Sequence, residues 1–116
     1  MDMKDAVAKA SLTRTMFRKK LDPTKVDEYI DRHINIWPEM LDAIHQEGVK
    51  NFSIFIEGDE CIGYLEHENI IEHNKRGETP TQLSIDWESS MRPLSADKIS
   101  EDQGMRRDFK LVFYVE

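Results

Sequence analysis

An α+β fold, one antiparallel sheet with helices on one of its faces, is what three features of this chain predict. Two apolar, β-rich runs at 51–57 (NFSIFIE) and 61–67 (CIGYLEH) flank a Gly58-Asp59 pair of the kind that closes short hairpins. A pair of helical segments meets at Pro38 ahead of that hairpin, and a second pair follows it. An alternating segment opens this pattern and FKLVFYVE ends it. The order strand, helix pair, strand, strand, helix pair, strand is the split βαβ plan of ferredoxin-like folds.

The first strand is read over 13–21 (TRTMFRKKL), where Thr13, Thr15 and Phe17 alternate with Arg14, Met16 and Arg18. Asp22-Pro23 offers a side-chain acceptor followed by a proline suited to a first helical position, so a helix is expected from Pro23. Within it Val26, Tyr29, Ile30 and His33 recur at i, i+3, i+4 and i+7 and turn one face inward. Pro38 cannot continue that helix but suits the start of another, which predicts a bend at Asn35–Trp37. The second helix, 38–47, is expected to carry Leu41, Ile44 and Met40 inward and to end at Gly48. After the hairpin, Asn69 with Glu72 resembles a capping box, and Thr79-Pro80 with Gln82 repeats the grammar ahead of Leu83, Trp87 and Met91. Residues 92–108 read as a long polar loop, and the final strand follows. Residues 1–12 are expected to be an N-terminal extension to a single domain over 13–116.

With 39% hydrophobic and 34% charged residues the chain lies in the globular range. A net charge of −7 repels phosphate backbones and anionic lipid, which argues against nucleic acid or membrane as the main partner and favours a neutral small molecule. No run of about 18 apolar residues occurs, and residues 1–10 lack a signal-like apolar block. Cys61 is the single cysteine, so no internal disulfide forms, and a reducing cytoplasm is the expected compartment. In the last strand one face is apolar and the other still offers Val112 and Tyr114, so a second subunit is expected to cover it, giving a homodimer.

Functional side chains are densest in Tyr29-Ile30-Asp31-Arg32-His33 and the following Trp37-Pro38-Glu39. Tyr29 and His33 are i, i+4 neighbours, so a phenol and an imidazole project side by side. His33 reads either as a core histidine satisfying a hydrogen bond or as a proton-transfer group matched to neutral pH. Trp37 and Trp87 are either core filler or flat walls for the C–H face of a sugar. His33, His45, His67 and His73 show no metal-ligand spacing, and neighbouring strand positions around His67 point to opposite faces, so no metal site is expected. No phosphate-cradling glycine loop and no nucleophile elbow is present, and no cofactor is expected. Cys61 reads as a half-buried strand cysteine.

The segment YIDRHINIWPEM resembles the L-rhamnose mutarotase family, whose members carry Tyr-x-x-Arg-His followed by Ile-Trp-Pro-Glu. The likeness runs on through the first strand and Asp22-Pro23, the NFSIFI strand, the partner strand with Glu66, Trp87 with Met91, and the terminal VFYV, about residues 13–116. The resemblance implies a dimeric ferredoxin-like protein of the α/β-barrel type that equilibrates α and β anomers of L-rhamnose. It also implies that His33 is the proton donor and Tyr29 a sugar contact. Phe52 stands where the family has a sugar-contacting tyrosine, and Trp87 opens what is there a Trp-Trp pair, completed here by Glu88. The site thereby loses a hydrogen bonder and an aromatic wall and gains a carboxylate.

The expected function is therefore a cytoplasmic carbohydrate isomerase, a mutarotase acting on L-rhamnose or a related aldose. Mutarotation needs an acid at the ring oxygen and a base at the anomeric hydroxyl, with no redox or phosphate chemistry. His33 is expected to exchange the proton with the ring oxygen, Tyr29 to position a hydroxyl and Trp87 to wall the pocket, with Phe52 and Glu88 as further substrate contacts. Glu88, Asp86, Glu39 or water would supply the base. The competing expectations are a non-catalytic sugar-binding module and a cofactor-free monooxygenase of the same fold.

Overall fold

The structure is a computed structural model that describes residues 2–96 and 107–116. Its elements run α1 (Met3–Ser11), β1 (Arg14–Lys20), α2 (Val26–Ile34), α3 (Pro38–Glu47), β2 (Lys50–Glu57), β3 (Glu60–Glu66), α4 (Ile70–Gly77), α5 (Gln82–Met91), a 3₁₀ turn (Arg92–Leu94) and β4 (Arg107–Asp108). The four strands form one antiparallel sheet in the order β2-β3-β1-β4, the ferredoxin-like arrangement expected from the element order.

Local chemistry explains most boundaries. Gly58, at φ 59°, turns the β2–β3 hairpin and sets Glu57 opposite Glu60 and Phe55 opposite Ile62. Pro38 takes the first helical position of α3, and Gly48 ends that helix in the left-handed conformation at φ 92°. Asn69 caps α4 by accepting from the Glu72 N–H. Two starts differ from expectation. The Asp22 carboxylate accepts from the Thr24 N–H and hydroxyl, and this side-chain turn uses residues 22–25, so α2 begins at Val26 rather than Pro23. For α5 the cap is Thr81, which accepts from the Ser84 N–H, not Thr79. The N-terminal dozen contains a helix, α1, capped by Asp2. Its C-terminal end is tied in where Leu12 and Thr13 carbonyls accept from the Ile70 and His67 N–H groups.

The core fills the space between the helices and one sheet face. Leu21, Tyr29, Cys61, Trp87, Met91 and Leu94 form one buried cluster, against which Val26, Met40, Ile54 and Ile56 pack. Phe17, Val49, Leu65 and Ile70 form a second, joined by Ile44. Leu41, expected inward, is exposed, because Met40 and Ile44 already occupy the inner face of α3. Leu94 sits only 1% exposed inside a stretch expected to be loop, and the Leu21–Ser95 bridge anchors it. The remainder of that loop, residues 97–106, lies outside the described residues.

The last strand is Arg107–Asp108, at the end of the stretch expected to be loop, and FKLVFYVE at 109–116, expected to form it, carries no strand assignment. Ladder pairing covers Arg107–Asp108 against Arg18 and Phe17, and the Phe109 N–H adds one bond to the Met16 carbonyl. Beyond Met16 only Thr15 and Arg14 of β1 remain, so an eight-residue segment outruns its partner. Tyr114 nevertheless lies under the Arg14 guanidinium, 4.4 Å from ring centre to Cζ.

Candidate active site

The helix α2 buries its Val26–Tyr29–His33 face, while Ile30 lies at its edge and stays exposed. The Tyr29 and His33 rings are stacked at 4.3 Å with a 33° tilt, as expected for i, i+4 neighbours. Tyr29 is 3% exposed and accepts a hydrogen bond from the Cys61 thiol at 3.4 Å. Burial, then the Cys61 contact and the charge of Glu88, pushes its phenol far above the ordinary range, so it stays protonated.

His33 is half-buried, and its Nδ1 lies 2.9 Å from the Tyr29 carbonyl oxygen. A carbonyl only accepts, so Nδ1 carries the hydrogen and Nε2 keeps its lone pair. Burial lowers the imidazole below its ordinary value of 6.5. The bond to the Tyr29 carbonyl and the charge of Glu88 oppose that shift, and the charge of Lys19 adds to it. At neutral pH the side chain is therefore a neutral imidazole with a basic Nε2.

From α5, Trp87 meets His33 edge-on at 5.6 Å and Trp37 edge-on at 5.0 Å, which locks the helix bend to α5. Trp87 and Trp37 also wall a recess of about 200 Å³ whose other sides are Asp31, Arg32, Asn35 and Ser90. His33 is not among its lining residues, so the two features share the Trp87 ring. Arg32 is held there by the Ser90 carbonyl and by Glu28.

Of the residues singled out from sequence, Tyr29, His33 and Trp87 come together. Glu88 is exposed, yet its charge reaches both Tyr29 and His33. Phe52 is 40% exposed and meets Phe17, a member of the second core cluster, edge-on at 6.4 Å. Asp86 is an exposed acceptor for Gln82. Cys61 is fully buried rather than half-buried. Lys19 and Cys61 were not legible as neighbours of Tyr29, although both share strand parity with core positions: Lys19 with Phe17 and Cys61 with Leu65.

A second polar cluster lies away from this site. Glu47 contacts His73 at 2.8 Å, His67 at 3.3 Å and Arg76 at 3.0 Å. The donor atoms of Glu47, His67 and His73 lie within 4.8 Å of one another, close enough to suggest a metal. His67 argues otherwise. It is 7% exposed, its Nδ1 accepts from the Asn69 N–H, and its Nε2 donates to the Glu47 carbonyl, so no lone pair is left to bind an ion. The cluster is a staple between α3 and α4. Burial would raise the Glu47 carboxyl, but hydrogen bonds from His73 and Arg76 outweigh it and hold it below 4.5. A depressed carboxyl stabilises the fold above its unfolded value and loses that contribution as pH falls through the folded one. Glu47→Gln is therefore expected to lower the melting temperature at pH 7, and the gap from the parent protein should close as pH drops below about 4. A gap unchanged down to pH 3 would deny Glu47 this role.

Comparison with known proteins gives a consistent result. The sequence model of the L-rhamnose mutarotase family matches residues 14–115. An L-rhamnose mutarotase from Oceanobacillus iheyensis is 32% identical over 90% of this chain and 100% of its own length. One from Bacillus subtilis is 35% identical over 79% of this chain and 88% of its own. The crystal structure of an L-rhamnose mutarotase from Formosa agariphila superposes with a TM-score of 0.71 at 22% identity, covering 89% of this chain and 98% of that one, which supports the fold.

Proposed function

The chain belongs to the L-rhamnose mutarotase family, and on that premise we propose that it interconverts the α and β anomers of L-rhamnose or a closely related aldose. The observation that carries the mechanism is the half-buried neutral His33 with Nε2 unengaged by its Tyr29 hydrogen bond. Starting neutral, the imidazole acts first as a base and takes the proton of the anomeric hydroxyl. The pair of the ring C–O bond leaves with the ring oxygen, which is protonated from solvent, and C1 becomes an aldehyde. Rotation about C1–C2 presents the other face. On closure solvent removes the hydroxyl proton and the imidazolium returns its own to the carbonyl oxygen. This order reverses the ring-oxygen donor role expected from sequence, because burial lowers the imidazole.

Tyr29, Trp87, Phe52 and Glu88 are the proposed sugar contacts. Tyr29 offers a phenol that burial keeps protonated and Trp87 a wall shared with His33; Glu88 offers a carboxylate whose charge reaches the imidazole. The reaction calls on no cofactor for its chemistry. The lone buried thiol of Cys61 fits a reducing cytoplasm, and among the described residues no helix is long and apolar enough to cross a membrane.

We further propose that a second copy of the chain covers the open sheet face. Phe17 points to the helices, so by alternation Met16, Ile62, Tyr64 and Phe55 point away from them, and Phe55 is 65% exposed. Phe113 and Val115, also exposed, add apolar surface in the C-terminal segment.

Saturation transfer between the two anomeric proton resonances, run over a panel of L-rhamnose, other deoxyaldoses and parent aldoses, tests the activity and names the sugar. Acceleration for L-rhamnose or a near relative is expected, and sugar binding without acceleration would turn the reading to a non-catalytic module. In the same preparation sedimentation should give twice 13.6 kDa, and Phe55→Asp should give the monomer. A monomeric parent protein would end the dimer proposal.

A further inference from the structure

Strand β1 sends Phe17, and two residues later Lys19, to the helix-covered side of the sheet. Lys20, on the opposite side, pairs with Asp59 at 3.8 Å. Lys19 joins none of the ion pairs found among the described residues. Its ammonium instead lies 5.1 Å from the centre of the Tyr29 ring, the ring on which His33 is stacked. Such a contact exploits the negative face of the aromatic system and gains when solvent is partly excluded, as it is here where Lys19 is half-buried and Tyr29 buried.

We propose that Lys19 is a positioning residue of the mutarotase site: its ammonium braces the Tyr29–His33 stack and, as a fixed positive charge beside it, keeps the His33 imidazole in the form that accepts a proton. The inference rests on the reading of His33 as the proton-transfer group. Its physical basis is Coulombic, since a second positive charge on the imidazole is unfavourable near an ammonium in a partly desolvated setting. Among the described residues, the groups that face His33 come from three elements. Lys19 approaches from β1, Glu88 from α5 with opposite sign, and the uncharged Tyr29 and Trp87 rings from α2 and α5, with the Cys61 thiol behind the phenol. Lys19 and Glu88 therefore act as opposed settings on one titration. An electrostatic role predicts that charge matters more than shape, so Lys19→Arg should behave as the parent and Lys19→Met should not.

The test is anomeric exchange of L-rhamnose as a function of pH in the full chain, together with an NMR titration of the His33 ring, for the parent, Lys19→Met and Lys19→Arg. In Lys19→Met the His33 titration and the acid limb of the rate are expected to move together to higher pH. The variant then loses several-fold in rate at pH 6 and little at pH 8, while Lys19→Arg follows the parent. Glu88→Gln should move the His33 titration the other way. A folded Lys19→Met whose His33 titrates as in the parent overturns the proposal. If the parent does not accelerate exchange, the mutarotase reading fails by itself, and the ring titration still decides whether Lys19 sets the imidazole.

Discussion

His33→Ala is expected to reduce anomeric exchange by roughly 10²–10⁴-fold, the range for one well-placed acid or base, while the protein stays folded. The loss falls short of complete inactivity on two grounds. Mutarotation proceeds unaided in water, and the remaining contacts still hold the sugar. Stability should change little, because the His33 ring is half-buried and its hydrogen bond goes to a carbonyl already serving the helix. Saturation-transfer rates with a thermal melt on the same sample separate the two quantities. A folded His33→Ala at parental rate would remove the imidazole from the chemistry. Glutamine at this position keeps a hydrogen-bonding side chain but cannot take a proton, so it should fail as alanine does.

Gly63→Val is expected to give the largest loss of stability, at least about 3 kcal/mol, at the upper end of what overpacked cores cost. The β1–β3 register sets Phe17 opposite Gly63, and the Phe17 ring lies directly over that position. A β-carbon built on Gly63 would stand 2.3 Å from Cζ of Phe17 and within 2.8 Å of two further ring atoms. Relief requires the ring to leave the cluster it forms with Val49, Leu65 and Ile70, or the strands to part. Either route spoils the sheet that carries Lys19 and Cys61 to Tyr29, so activity falls with stability. Denaturant unfolding measures it. The double variant Gly63→Val with Phe17→Ala should recover part of the loss if the ring is the obstacle, and no recovery would place the cost elsewhere.

What the sequence made legible follows from interaction range. The hairpin, the proline start and glycine stop of α3, and the Tyr29–His33 pair are all fixed by residues within a few positions, and each stands where the pattern puts it. The start of α2 lies at Val26 rather than Pro23 because Asp22 can cap either a helix or a turn, and Thr24 supplies two donors that settle it for the turn. For α5 the capping pattern points to Thr79, two residues ahead of Thr81, whose side chain accepts from the Ser84 N–H and caps the helix. The place of helix α1 depends on the distant Ile70 and His67 backbone groups. The staple of Glu47, His67, His73 and Arg76 joins two helices and the end of a strand and was invisible for the same reason. Lys19 was hidden differently: Arg18-Lys19-Lys20 reads as a solvated run, although strand parity already puts Lys19 beside Phe17. The site was thus readable along α2 and unreadable across the sheet.

At the centre of the proposed mechanism is a neutral imidazole at position 33 that moves the anomeric proton. Burial places the His33 titration below 6.5, so the active form is retained above that titration and lost as pH falls through it. The most direct measurement records the His33 ring titration by NMR and the anomeric exchange rate by saturation transfer on one sample across the acid range. Coincident midpoints are predicted, with rate disappearing as the ring gains its proton. A rate that stays level while His33 titrates would contradict the account.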